Sequence, residues 1–143
     1  MRIGDLIGNQ ETYLVELEDT VTQAVHTMVE HDIGAVPVVH NGKLVGIFSE
    51  RDLMRRVVYE SRDPGSTSMA EVMTDDPLAV SMNDEIEDCL GLMRRHGFRH
   101  LPVCQDGFLI GMVSLRDILR HDPDQQEDEM RIVRAYIDNF PEA

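Results

Sequence analysis

The feature that most constrains this chain is an internal duplication with a shift of 65 residues. Without a gap, residues 19–53 and 84–118 share 11 identities in 35 positions, where ordinary composition would give roughly two. The identities include Asp19 with Asp84, Met28 with Met93, Pro37 with Pro102, and Gly46 with Gly111. Ser49 falls on Ser114, Arg51 on Arg116 and Asp52 on Asp117. A chain of 143 residues that repeats itself this way must fold as two similar small units.

Each copy carries the same hydrophobic pattern. Val21, Ala24, Val25, Met28 and Val29 recur at helical spacing, matched by Ile86, Cys89, Leu90 and Met93. Two apolar strands follow, Val36–Val39 and Leu44–Phe48, joined at Asn41-Gly42, a strong hairpin signal. The second copy has Leu101–Cys104 and Phe108–Val113, joined at Asp106-Gly107. A second helix should open after each Ser, over 50–59 and 115–120, and short strands near Tyr13–Val15 and Leu78–Val80 should lead in. The expected fold class is α/β (α+β): two β-α-β-β-α repeats plus a C-terminal helix. The repeats occupy 1–60 and 69–121, with a polar linker at 61–68. Asp122-Pro123 then reads as an N-cap with Pro at N1, and Met130, Val133, Ile137 and Phe140 recur at helical spacing over 122–143.

Composition excludes several functions. A net charge of −14 repels phosphate backbones and anionic lipid, which argues against nucleic acid or a membrane surface as partner. No apolar run approaches the ~18 residues of a membrane span, and the N-terminus lacks a signal-peptide stretch. Two distant cysteines give neither a disulfide framework nor a zinc site, so a cytoplasmic setting is expected. Cys89 and Cys104 match Ala24 and Val39 and read as buried, inert thiols. The six histidines show no metal-ligand spacing, and no nucleophile elbow or other catalytic set emerges.

The chemistry concentrates at Gly46-Ile47-Phe48-Ser49-Glu50-Arg51-Asp52 and its copy Gly111-Met112-Val113-Ser114-Leu115-Arg116-Asp117. One reading is purely structural: a capping box in which Ser is the N-cap and Asp at N3 reaches back to a main-chain N–H. The other uses the same geometry to hold a nucleotide. Free helix N–H groups, the Ser hydroxyl and the Arg suit phosphate, while the Asp carboxylate accepts from ribose hydroxyls. A cap alone does not ask for Arg51 or Arg116. Before each strand Pro, Val36-Pro37 and Arg99-His100-Leu101-Pro102 are extended segments whose main-chain groups could face a purine edge.

With Val-Pro-Val and Gly-Ile-Phe-Ser-Glu-Arg-Asp-Leu in the first copy, and their counterparts in the second, the chain resembles a tandem pair of CBS domains, a Bateman module. Glu71-Val72-Met73-Thr74 is similar to the segment that often opens the second repeat. The resemblance covers about 3–121, and the C-terminal helix resembles one in stand-alone CBS pairs. It implies pseudo-twofold repeats, a homodimer, and clefts for adenosine ligands such as AMP, ADP, ATP or NADH, with no required cofactor. Carried over, Asp52 and Asp117 would hold ribose hydroxyls, and Ser49, Ser114, Arg51 and Arg116 would face phosphate. Val36, Pro37, Arg99, His100, Leu101 and Pro102 would cradle the base, with Thr74 beside them. The first copy departs from the second, having Gly34-Ala35 where the second has Arg99-His100. The expectation is a non-enzymatic regulatory sensor acting on a separate protein; the alternative is an interaction module that binds no ligand.

Overall fold

A computed structural model describes residues 1–8 and 10–121; the expected C-terminal helix over 122–143 lies outside the described residues. The elements in chain order are α1 (Ile3–Ile7), β1 (Val15–Glu16), α2 (Val21–Glu30), β2 (Ala35–His40) and β3 (Lys43–Ser49). There follow α3 (Glu50–Asp52), a π-helix (Leu53–Val58), α4 (Met69–Val72) and β4 (Thr74–Asp75). The second copy supplies α5 (Ile86–His96), β5 (His100–Gln105), β6 (Phe108–Ser114) and α6 (Leu115–His121). The mixed α+β class and the helix–strand–strand–helix order of each repeat are those the pattern predicts.

The elements condense into two compact units. The first comprises Glu11–Leu78 with the hairpin tip Cys104–Ile110. The second comprises residues 1–8, Gln10, Ala79–Val103 and 111–121 of those described. The units therefore cut across the repeats along the chain: each repeat's leading segment packs in the other repeat's unit. In the first unit, Val21 N–H donates to Thr67 O (2.9 Å) and Met69 N–H to Asp19 O (2.8 Å). In the second, Ile86 N–H donates to Met1 O (3.2 Å) and Ile3 N–H to Asp84 O (2.9 Å). These are equivalent bonds in the two copies. The bridges Thr20↔Ser68 and Arg2↔Glu85 correspond in the same way. Short helices α1 and α4 cannot stand alone at this length; they hold because Ile3, Leu6 and Ile7, and Met69 and Val72, are buried.

Within the first unit β1 pairs parallel with β2, β2 antiparallel with β3, and β3 antiparallel with β4. The core gathers Val15, Val21, Ala24, Met28, Val36, Val38, Phe48, Val57, Met69 and Val72. Val29 departs from the expected stripe: it is 73% exposed. At 100° per residue it stands about 100° from the centre of the Val21–Ala24–Met28 face. In the second unit Ile86, Cys89, Leu90 and Met93 are buried on α5, as the pattern predicts, with Leu101, Val103, Val113 and Ile118 beside them. Cys89 is a fully buried thiol pushed up to about 11 by desolvation, then by Asp84. Cys104, expected to be equally buried, is only half-buried near the hairpin tip, and burial raises its thiol more modestly.

Both hairpins turn as read. Asn41 and Gly42 have φ of 53° and 80°, and Asp106 and Gly107 have 53° and 85°. Paired positive φ values are those of a type I′ turn, which only Asn, Asp and Gly adopt cheaply. The helix expected over 50–59 begins in α form but changes to a π wind at Leu53, with Tyr59 N–H donating to Met54 O (2.9 Å) and Arg62 N–H to Val57 O (2.9 Å).

Candidate functional site

Each unit presents the same strand-to-helix junction. In the first, Ser49 ends β3 and is the N-cap of α3; its Oγ accepts from Asp52 N–H at 3.2 Å. Asp52 Oδ2 in return accepts from Ser49 N–H (3.0 Å) and Ser49 Oγ (3.1 Å). In the second, Asp117 N–H donates to Ser114 Oγ (3.0 Å), and Ser114 N–H to Asp117 Oδ2 (3.3 Å). The capping reading is thus realised in both copies. The expected row of free helix N–H groups is not: the first amide of each helix is already spent. Glu50 N–H donates to Gly34 O (3.0 Å) and Leu115 N–H to Arg99 O (2.9 Å). With the third amide held by the Ser hydroxyl, phosphate would depend on side chains more than on the helix end.

The two carboxylates differ in their surroundings. Asp52 is only 8% exposed. Thr74 Oγ1 donates to its Oδ1 at 3.3 Å, and Arg56 Nε stands 3.6 Å from the same oxygen. Thr74 is brought there by β4, whose register sets it against Ile47 of β3. The approach is close because residue 46 is glycine: a Cβ there would run into the Met73 side chain and lie 3.0 Å from Thr74 O. Asp117 is half-buried, and among the described residues its Oδ1 carries no partner from outside the cap.

The segments before each proline are placed as follows. Val36 and Pro37 lie on β2 opposite Phe48 and Ile47. Strand β1 pairs with β2 at Val38 and Val39, beyond those two residues. Val36, Pro37, Leu101 and Pro102 have buried side chains, so any ligand would meet their main chain and not their side chains. Arg99 is exposed and His100 half-buried at the start of β5. Arg116 is exposed on α6, whereas its mate Arg51 is half-buried on α3. Thus Ser49, Arg51, Asp52, Thr74, Val36 and Pro37 share the first unit, and Arg99, His100, Leu101, Pro102, Ser114, Arg116 and Asp117 share the second. The sequence reading missed Arg56. Its signal was present, since an Asp and an Arg four residues apart on a helix are neighbours. Among the described residues no group of His, Cys, Asp or Glu could hold a metal ion, and no helix is long and apolar enough to cross a membrane.

The CBS domain family model matches residues 3–59 and again 69–124. The chain belongs to the CBS domain family. Its match to the mitochondrial CBS domain-containing protein CBSX3 of Arabidopsis thaliana is 34% identical over 125 residues, covering 84% of this chain and 61% of that one. The chain therefore spans about three fifths of that relative's length. Among solved CBS structures, a protein from Burkholderia ambifaria MC40-6 superposes with TM-score 0.80 at 32% identity, covering 88% of this chain and 96% of that one. CBSX2, solved in complex with AMP, gives TM-score 0.71 at 27% identity, covering 83% of this chain and 93% of that one.

Proposed function

We propose that this CBS pair is a non-catalytic regulatory module that binds an adenine nucleotide, of the AMP, ADP, ATP or NADH kind, and acts on a separate partner protein. The observation that carries the reading is the Asp117 carboxylate in the first turn of α6, just past the end of β6. It is held in place by the cap through Oδ2, and its other oxygen, without a partner among the described residues, is the one that accepts from ribose hydroxyls. Arg116 on the same helix and Arg99 across the Leu115–Arg99 main-chain bond supply positive charge on a chain of net charge −14. The AMP complex of the related CBSX2 supports the ligand class. The ligand is regulatory, and no cofactor is required for the fold.

The module works as a homodimer in the reducing cytoplasm. Both cysteines are free thiols. Val58 and Tyr59 are 68% and 83% exposed at the end of the π-helix, an apolar face suited to a second copy.

A second reading keeps a specific observation in its favour. The two capping boxes account for Ser49, Asp52, Ser114 and Asp117 without any ligand, as expected of a purely structural dimerisation module. Equilibrium dialysis against AMP, ADP, ATP and NADH separates the two. Saturable binding of at least one nucleotide supports the sensor; no binding across the panel leaves the interaction module.

A further inference from the structure

We propose that the Lys43–Phe108 pair is a selectivity element of the two hairpin tips: it commits the tip of the first repeat to the tip of the second within one chain, against the pairing of like tips between chains.

The β2–β3 tip, residues 41–44, and the β5–β6 tip, residues 106–109, belong to the same compact unit. There Lys43 stands opposite Phe108 in an antiparallel bridge. Leu44 N–H donates to Gly107 O and Leu109 N–H to Gly42 O, both at 3.1 Å. Under the 65-residue shift these two bonds exchange, and Lys43 falls on Phe108. The meeting point is therefore a local twofold, with equivalent positions of the duplication facing each other across it. The two bonds flank the pair and leave it as the non-hydrogen-bonded one, the arrangement in which opposite side chains come closest.

Main chain cannot tell these tips apart. Both turn with the same positive φ values at Asn41-Gly42 and Asp106-Gly107, and a leucine follows each pair position. The same two bonds would form between two first tips, or two second tips, of different chains. Only the side chains at 43 and 108 discriminate. In the pairing observed, Lys43 Nζ stands over the Phe108 ring, 5.5 Å from its centroid, a cation–π contact. The ring also lies against Gly42, where an added Cβ would be 3.3 Å from its Cδ1. Gly42 thus serves twice, through its φ of 80° and through the room it leaves. Two first tips would instead set Lys43 against Lys43, and like charges directly opposite are destabilising. Two second tips would set ring against ring, a favourable contact that recovers only part of what is lost. Exchanging unlike pairs for like ones forfeits two cation–π contacts and adds one repulsion.

The tips are exposed, with Phe108 at 47%, so substitutions there leave the buried cores intact. In hydrogen exchange on the full chain, Phe108→Lys, which sets lysine against lysine, should lower the protection of the Leu44 and Leu109 amides roughly tenfold. The swapped variant, Lys43→Phe with Phe108→Lys, re-creates the pair in the opposite sense and should return protection to within about twofold of wild type. Unchanged protection in Phe108→Lys, or a swapped variant no better protected than Phe108→Lys, overturns the pairing. Selectivity is read separately, as mass by light scattering after refolding at high concentration. Lys43→Phe puts phenylalanine at both tips, so like and unlike pairings become equivalent and species heavier than wild type should appear. The swapped variant should keep the wild-type mass. Lys43→Phe refolding at the wild-type mass, or a swapped variant as heavy as Lys43→Phe, overturns the selectivity.

Discussion

Replacing each motif aspartate by alanine should give opposite orders for stability and for affinity. Asp52 is 8% exposed and its carboxylate accepts from Ser49 N–H, Ser49 Oγ and Thr74 Oγ1 beside the Arg56 guanidinium. Asp52→Ala removes a cap worth about 1 kcal/mol and strands partly buried donors, for a total of roughly 2–3 kcal/mol. Asp117 is half-buried and serves only the cap among the described residues, so Asp117→Ala should cost about 1 kcal/mol. At roughly 3 °C per kcal/mol for a chain of this size, the melting temperatures should fall by about 6–9 °C and about 3 °C. Affinity should run the other way. Asp117→Ala loses the ribose acceptor and should weaken AMP binding roughly ten- to hundredfold, equivalent to about 1–3 kcal/mol. Asp52→Ala should leave affinity within about twofold, as long as the measurement is made below its melting temperature. Thermal melts and calorimetric titration on the same two proteins read both quantities. Equal melting losses, or an affinity loss confined to Asp52→Ala, would refute the reasoning.

Other outcomes follow from the same geometry. AMP at ~100 times its Kd should stabilise the wild type by about 2.7 kcal/mol in a thermal-shift assay; a flat response to all four nucleotides would favour the interaction module. Gly46→Ala should destabilise by about 1–3 kcal/mol in urea titration, because the new Cβ meets the Met73 side chain and Thr74 O. Cys89, its thiol raised to about 11, should be only about one part in a thousand thiolate at pH 8. Its reaction with a disulfide reagent should be slow in the native state, rise with pH toward 11, and become fast in denaturant. Light scattering at micromolar concentration should give a dimer mass, and Tyr59→Glu, on the exposed apolar face, should shift it toward monomer.

The repeat, its helices and hairpins, and the capping boxes were legible from the amino-acid order because each depends on neighbours close in sequence. Ser49 and Ser114 each close a cap with the aspartate three residues on, and Asn41-Gly42 turns a hairpin on its own backbone preference. Such local rules repeat wherever the residues repeat, so both copies could be read at once. What the sequence alone could not decide is which copy each leading segment joins. Residues 3–7 and 69–72 carry nearly the same apolar spacing, and either core could bury them; the exchange is set by chain reach and by main-chain bonds to Asp84 and Asp19. The exposure of Val29, the π wind at Leu53 and the meeting of Arg56 with Met73 O likewise depend on packing between segments distant in the chain. Local pattern determined the two aspartates as a matched pair. Among the described residues, tertiary contacts make them unequal, because the fold brings a threonine and an arginine to the carboxylate of Asp52 and not to that of Asp117.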